Sequence, residues 1–267
     1  MKRVSLAFLS ILIILGPITL CANDCGDVNN SGGVNLLDVS YLINYLYKSG
    51  PEPDCGETTG TVSDIDGNVY QTVKIGDQWW MAENLKVTHY RNGDQIPQIT
   101  DPVEWGGLTA GAYCEYNNNI ANVAIYGRLY NWYAIDDSRN IAPEDWHVPT
   151  DEEWKQVEMY LGMSQSEADA ESWRGTDEGG KLKEVGTAHW NSPNTGATNE
   201  SGFMALPGGY RSYNGTFQGM GSHAIFWTSI ELFSSNAWTR ILNYMYSEVA
   251  RDNENKCSGF AIRCVKD

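Results

Sequence analysis

Apolar and polar positions along this chain keep several different rhythms, and each predicts a different kind of element. Residues 4–15 are an apolar run interrupted only by Ser5 and Ser10. The stretch LLDVSYLINYLYKSG then sets Leu42, Tyr45 and Leu46 on one face, with Leu37, Val39 and Tyr41 in the turn before. This suits a helix of about three turns stopped by Gly50 and Pro51. From Val62 the rhythm shortens to two: apolar residues alternate around Asp66-Gly67-Asn68 and again around Gly76-Asp77, predicting short antiparallel strands joined by tight turns. Thr150 and Glu153 have capping-box spacing, and Trp154, Val157 and Leu161 follow on one helix face before Gly162. A second short helix is expected from Ser166 through Ala168 to Trp173. Residues 175–221 are rich in Gly, Asn, Thr and Pro and read as a long loop region, the kind that carries function or is wrapped by its own side chains. Strand-like pieces close the chain: AIFWTS, NAWTRILNYM, YSEVAR and GFAIRCVKD. Strands, helices, loops and strands in that order predict an α+β domain rather than alternating βαβ units.

Residues 1–22 read as an export signal: Lys2 and Arg3, the apolar run, a Gly16-Pro17 break, and Ala22 at the cleavage position. The alternative is a lipid anchor at Cys21, for which Leu20 is a poor preceding residue. Cleavage would remove two basic residues and no acids, taking the net charge from −16 to −18. So acidic a chain has no basic patch for nucleic acid and repels anionic membranes. Export permits disulfides. A Cys25–Cys55 bridge would clamp the segment between them, and Cys257 and Cys264 are close enough in sequence to bridge, leaving Cys114 over.

The segment that Cys25 and Cys55 bracket carries the sharpest chemical signal. In Asp27–Asp38, DVNNSGGVNLLD, oxygen-bearing side chains occupy positions 1, 3, 5, 9 and 12, with Gly32 at position 6. A hard cation needs six to eight oxygens, and this spacing is that of an EF-hand calcium loop closed by Asp instead of Glu. The expected ligands are Asp27, Asn29, Ser31, the carbonyl of Gly33, Asn35 acting through water, and Asp38. The loop and following helix, with no helix before the loop, resemble one half of a type I dockerin over residues 26–53. The resemblance implies calcium as cofactor and a cohesin-like partner, or pairing with a second copy, since a dockerin normally has two such repeats. Downstream only Asp64-Ile-Asp66-Gly67-Asn68 approaches a second loop, and it reads as a hairpin turn with its glycine misplaced.

Residues 56–61 read as a linker, residues 23–55 as the calcium module, and residues 62–267 as one domain. The phrases DIDGNVYQTVKIGDQWWMAENLK, YGRLYNWYAI, WHVPTDEEW, GGKLKE, HWNSPNTGATNESGFMALPGGYR, FWTS and GFAIRCVKD resemble the Fibrobacter succinogenes major paralogous domain. That resemblance implies a secreted or surface-exposed protein with a C-type-lectin-like fold, shared with formylglycine-generating enzymes, and it implies no established activity. The family often has Cys-Pro-x-Gly-Trp-His where this chain has Ala142-Pro143-Glu144-Asp145-Trp146-His147. Cys264 would then lack its usual partner, with Cys257 or Cys114 as candidate replacements.

Catalytic signals are sparse. His147 and His189 each adjoin a tryptophan, which suggests packing with one hydrogen bond. Glu152 and Glu153 open a helix, where acids are favoured anyway. Nucleophile-elbow, P-loop, zincin and Rossmann fingerprints do not occur, nor do the EPN and QPD triplets of calcium-dependent lectins, although Ser192-Pro193-Asn194 lies in a comparable region. Of the ten tryptophans, Trp105 and Trp190 are expected to be exposed. The sequence thus reads as a non-catalytic exported protein binding polysaccharide or another surface molecule. A structural envelope or matrix protein and a formylglycine-generating-enzyme-like oxidase are the alternatives.

Overall fold

The structure, a computed structural model, describes residues 36–48 and 58–267. The chain divides into two units, residues 1–57 and 58–267. In the first, helix α1 spans Leu36–Lys48. It begins earlier than the pattern suggests, so Val39 lies within the helix, and Lys48 in the last turn complements the helix dipole. Val39, Ile43 and Leu46, at helical spacing, are exposed.

The second unit opens with two hairpins. β1 (Thr59–Ser63) and β2 (Val69–Ile75) pair antiparallel from Thr59 opposite Val73 to Ser63 opposite Val69. β3 (Gln78–Met81) follows after the two-residue turn Gly76-Asp77, whose glycine takes φ +60°, as tight hairpin turns require. Short elements come next: α2 (Pro102–Gly106), capped by Asp101, then β4 (Tyr113–Cys114), α3 (Val123–Tyr126), β5 (Leu129–Tyr130) and β6 (Trp146–His147). Helix α4 (Asp151–Tyr160) has Thr150 as N-cap and the reciprocal box with Glu153 that the sequence predicts. It buries Trp154 and Val157.

The second predicted helix is shorter than expected. α5 (Gln165–Asp169) is capped by Ser164 through a box with Glu167, and residues 172–174 form strand β7 (Ser172–Arg174) instead. Trp173 sits opposite Ala250, so a distant edge strand captures a segment whose local pattern is helical. The glycine-rich region holds α6 (Glu178–Leu182), β8 (Gly208–Arg211) and β9 (Phe217–Met220). A Cβ on Gly180 would lie 2.0 Å from the Gly196 carbonyl, so only glycine lets these two loop segments meet. The chain finishes with β10 (His223–Phe233), β11 (Asn236–Asn243), β12 (Val249–Asn255) and β13 (Val265–Lys266).

The result is a sheet-rich α+β architecture with short helices. One sheet runs β1-β2-β3-β13-β6 and a second β10-β11-β12-β7, with β4-β5 and β8-β9 as ribbons. The closing phrase GFAIRCVKD ties them together. Gly259 exchanges backbone hydrogen bonds with Arg211 and Phe260 with Tyr130, Ala261 bridges Phe226, and β13 then joins the first sheet. Around this thread Trp80, Trp154, Phe203 and Phe226 form an aromatic core with ring centroids 4.9–6.0 Å apart.

Charge is sorted by depth. Of the fifteen Lys and Arg residues in 58–267 only Lys74 and Lys266 are exposed, with Arg139 partly so, against seventeen exposed Asp and Glu residues. The buried cations have two kinds of partner. Arg174 and Arg240 each bond the fully buried Glu158 at 2.6 Å, and Arg240 and Arg251 each bond Asp151 at 2.8 Å. Around Arg211, Arg263 and Lys183 the partners are neutral oxygens, chiefly backbone carbonyls. Arg211 bonds those of Ile99, Thr100 and Gly215, between the rings of Trp105 and Phe217. Arg263 bonds Phe203 and Met204 and the side chain of Asn84. Lys183 bonds Thr195, Asn243 and Tyr246.

Candidate calcium module and binding surface

Five of the six expected calcium ligands, Asp27, Asn29, Ser31, Gly33 and Asn35, lie outside the described residues, as do the proposed export signal and the Cys25–Cys55 pair. Asp38 is the third residue of α1. The chemistry of the set fits calcium: every donor is an oxygen, and the closing carboxylate stands in the first turn of the helix that follows the loop. Among the described residues no cluster of His, Cys, Asp or Glu is arranged to hold a metal ion.

The segment that approaches a second calcium loop is, in the structure, the turn between β1 and β2. Asp64 accepts hydrogen bonds from the backbone of Asp66 and Asn68, the Asn68 amide and the Tyr70 hydroxyl, the last at 2.5 Å. Asp66 accepts from Thr88 and meets His89. Protein donors thus answer both carboxylates, as the hairpin reading requires.

The histidines are more engaged than packing with one hydrogen bond would need. His147 lies between two carboxylates, Nε2 at 2.8 Å from Glu153 and Nδ1 at 2.6 Å from Asp267. The Glu153 hydrogen bond leads in raising its pKa, against a lesser effect of burial. His189 meets both oxygens of Glu184, at 2.8 and 3.0 Å. His223 sits between Ser222 Oγ (2.8 Å) and Asn243 Nδ2 (2.9 Å), an arrangement with the look of a nucleophile and its base. The hydrogen-bond directions say otherwise. Asn243 Oδ1 accepts from the Met245 backbone, so Nδ2 must donate to His223 Nε2. Nδ1 then carries the proton and donates to Ser222, whose own hydroxyl donates to the Gly219 carbonyl. The ring cannot take the serine proton, and burial lowers its pKa, keeping it neutral.

Several expectations fail on burial. Trp105 and Trp190, expected at the surface, are 0% and 2% exposed. Arg211 covers the Trp105 ring, while Trp190 donates to the Ala205 carbonyl beneath Lys183. Cys257 and Cys264 do not bridge: both are free, as is Cys114. Cys257 Sγ instead approaches the Leu108 carbonyl at 3.2 Å, and burial pushes the Cys114 thiol up to about 12 and the Cys264 thiol higher still. Ala142, where a cysteine was noted as usual, packs in the same buried cluster as Cys264. Asn194, in the triplet that invited a lectin reading, is buried and donates its amide to the Glu184 and Gly186 carbonyls.

Comparison with protein families decides the affiliation of the larger unit. The Fibrobacter succinogenes major domain model matches residues 73–266. The chain belongs to this family. The Dockerin type I domain model matches residues 25–69 ahead of the Fibrobacter succinogenes major domain. Type I dockerin domains bind calcium and cohesins, which supports calcium and a cohesin-like partner in general terms. The dockerin match runs through β1 and its turn, which the structure gives to the larger unit. Neither the curated proteins nor the solved structures yielded a match to the chain. Among the described residues no helix is long and apolar enough to cross a membrane.

Proposed function

We propose that this is an exported, non-catalytic protein in which a calcium-binding dockerin-like module carries a lectin-like domain that binds polysaccharide or another cell-surface molecule. The observation that carries this reading is the coupling of a dockerin match at residues 25–69 to a Fibrobacter succinogenes major domain in one chain. In this reading residues 1–22 are the export signal, residues 23–55 the calcium module and residues 62–267 the C-type-lectin-like domain. Asp27, Asn29, Ser31, the Gly33 carbonyl, Asn35 and Asp38 are the calcium ligands. With only Asp27 and Asp38 charged among them, affinity belongs in the extracellular range, on the order of 10⁻⁴ M. The module takes a cohesin-like partner or a second copy of itself.

Calorimetric titration of the full chain with calcium should give about one ion per chain and no heat in Asp27→Ala. A wild-type protein that takes up no calcium at millimolar concentration sinks the metal half of the proposal.

A further inference from the structure

We infer that the groove between the β2–β3 turn and the last turns of α4 is a subsite for one hexopyranose unit of a neutral polysaccharide. This rests on the carbohydrate-binding reading above and goes beyond it by assigning residues and a class of sugar. The groove is shallow and half open, with a volume of about 300 Å³, the small end of the range for ligand sites. Its apolar wall comes from Ile75, Met159 and Tyr160, and its polar rim from Asp77, Gln78 and Gln156.

Tyr160 is the anchor. The residue is 66% exposed, at the end of a helix that buries only its opposite face. Its ring lies against the turn because Gly76 has no side chain: a Cβ there would come within 3.1 Å of Tyr160 Cδ2 and 3.2 Å of Cγ. Gly76 therefore serves both the hairpin and the placement of the ring.

The rim is uncommitted. Gln78 accepts from Trp80 Nε1 at 3.2 Å through Oε1, which leaves its amide donors unused. The side chains of Asp77 and Gln156 and the Tyr160 hydroxyl make no hydrogen bond among the described residues. Other amides of this unit are held by their own fold, as with Asn84, Asn131 and Asn243. A hexopyranose has the complementary chemistry. Its apolar C–H face stacks on an aromatic ring, and its hydroxyl pairs suit planar carboxylate and amide groups. The surface charge selects among sugars. With seventeen exposed acidic residues in this unit against two exposed Lys and a partly exposed Arg139, a uronic or sulfated polymer meets like charge and a neutral one does not.

The test is affinity electrophoresis and pull-down of the full chain against cellulose, mannan, chitin and mixed-linkage β-glucan, with polygalacturonate as the anionic arm. Tyr160→Ala and Gln156→Ala are compared with Trp173→Ala, a control at an aromatic pair elsewhere on the surface. Thermal melts verify that all three fold, as expected for exposed positions. We expect Tyr160→Ala to weaken binding to a neutral polymer about tenfold or more and Gln156→Ala about threefold, with Trp173→Ala unchanged. Wild-type binding that both groove variants retain, or that only Trp173→Ala loses, overturns the groove and leaves the carbohydrate reading standing. Binding confined to polygalacturonate overturns the neutral-sugar assignment. A wild-type protein that retains no polymer overturns the groove and the carbohydrate reading together.

Discussion

Two regions of the larger unit bury the same kinds of cation and stabilise them by different physics. Around α4, Arg174, Arg240 and Arg251 share the carboxylates of Asp151 and Glu158, so buried positive charge is met by buried negative charge. Around the glycine-rich region, Lys183 and Arg263 bond neutral oxygens, and Arg263 stacks 4.1 Å from Phe203. The first region uses ion pairs to fix a helix against strands. The second uses cations as ties for backbone that no ladder satisfies, since each ammonium or guanidinium collects several carbonyls at once. Loops as long as these stay ordered when their carbonyls share one buried donor.

The contrast can be broken or sharpened by four measurements. Glu158→Gln should have the largest effect, because Arg174 and Arg240 would both face a neutral amide; a loss of about 3–5 kcal/mol in denaturant unfolding is expected. A loss below about 1 kcal/mol would mean that the ion-paired region does not depend on charge. Arg263→Met should cost somewhat less, about 2–3 kcal/mol, because the charge leaves with the side chain and the stranded groups are oxygens of Phe203, Met204 and Asn84.

The pH responses should share a sign, stability rising with pH, and differ in range and cause. Burial pushes the Asp151 pKa up, but the hydrogen bonds from Arg251 and Arg240 and their charges outweigh it and hold it at about 2, against 3.8. A depressed carboxylate stabilises above its unfolded pKa, so about 2 kcal/mol should disappear as pH falls from about 5 to 2. Asp151→Asn should flatten that slope in acid titrations followed by circular dichroism. Lys183, by contrast, is pushed by burial down to about 8, from 10.5. The unfolded chain then holds the proton more tightly, so stability should rise with pH from 8, by about 1 kcal/mol at pH 9. Lys183→Met should abolish that rise in urea unfolding midpoints, and an unchanged slope would remove Lys183 as its source.

What the sequence discloses follows the range of the interactions. The capping box at Thr150 and the two hairpin turns are local, so spacing alone places them. The end of α5 is not, because β7 exists only where β12 offers an edge. Trp105 and Trp190 look available in sequence, yet Trp105 is covered by Arg211, about a hundred residues on, and Trp190 by Lys183, through a fold of the loop that its sequence does not announce. His147 gains a second carboxylate from the other end of the chain, at Asp267. Cys257 and Cys264, seven residues apart, face different surroundings, which sequence proximity does not reveal. The groove at Tyr160 was invisible for the same reason, as its two sides are about eighty residues apart in sequence.

The opening hairpin has a practical consequence for anyone dissecting this protein. The two family matches invite a cut between residues 69 and 73. Such a cut would discard β1 and leave the outer hydrogen-bonding row of β2 bare, while Tyr70, if retained, would lose the Asp64 acceptor of its buried hydroxyl. An open edge of that length recruits strands from neighbouring molecules. Fragments begun at residue 70 should therefore precipitate where fragments begun at residue 58 stay dispersed, and an expression failure at the later start would reflect the cut and not the domain.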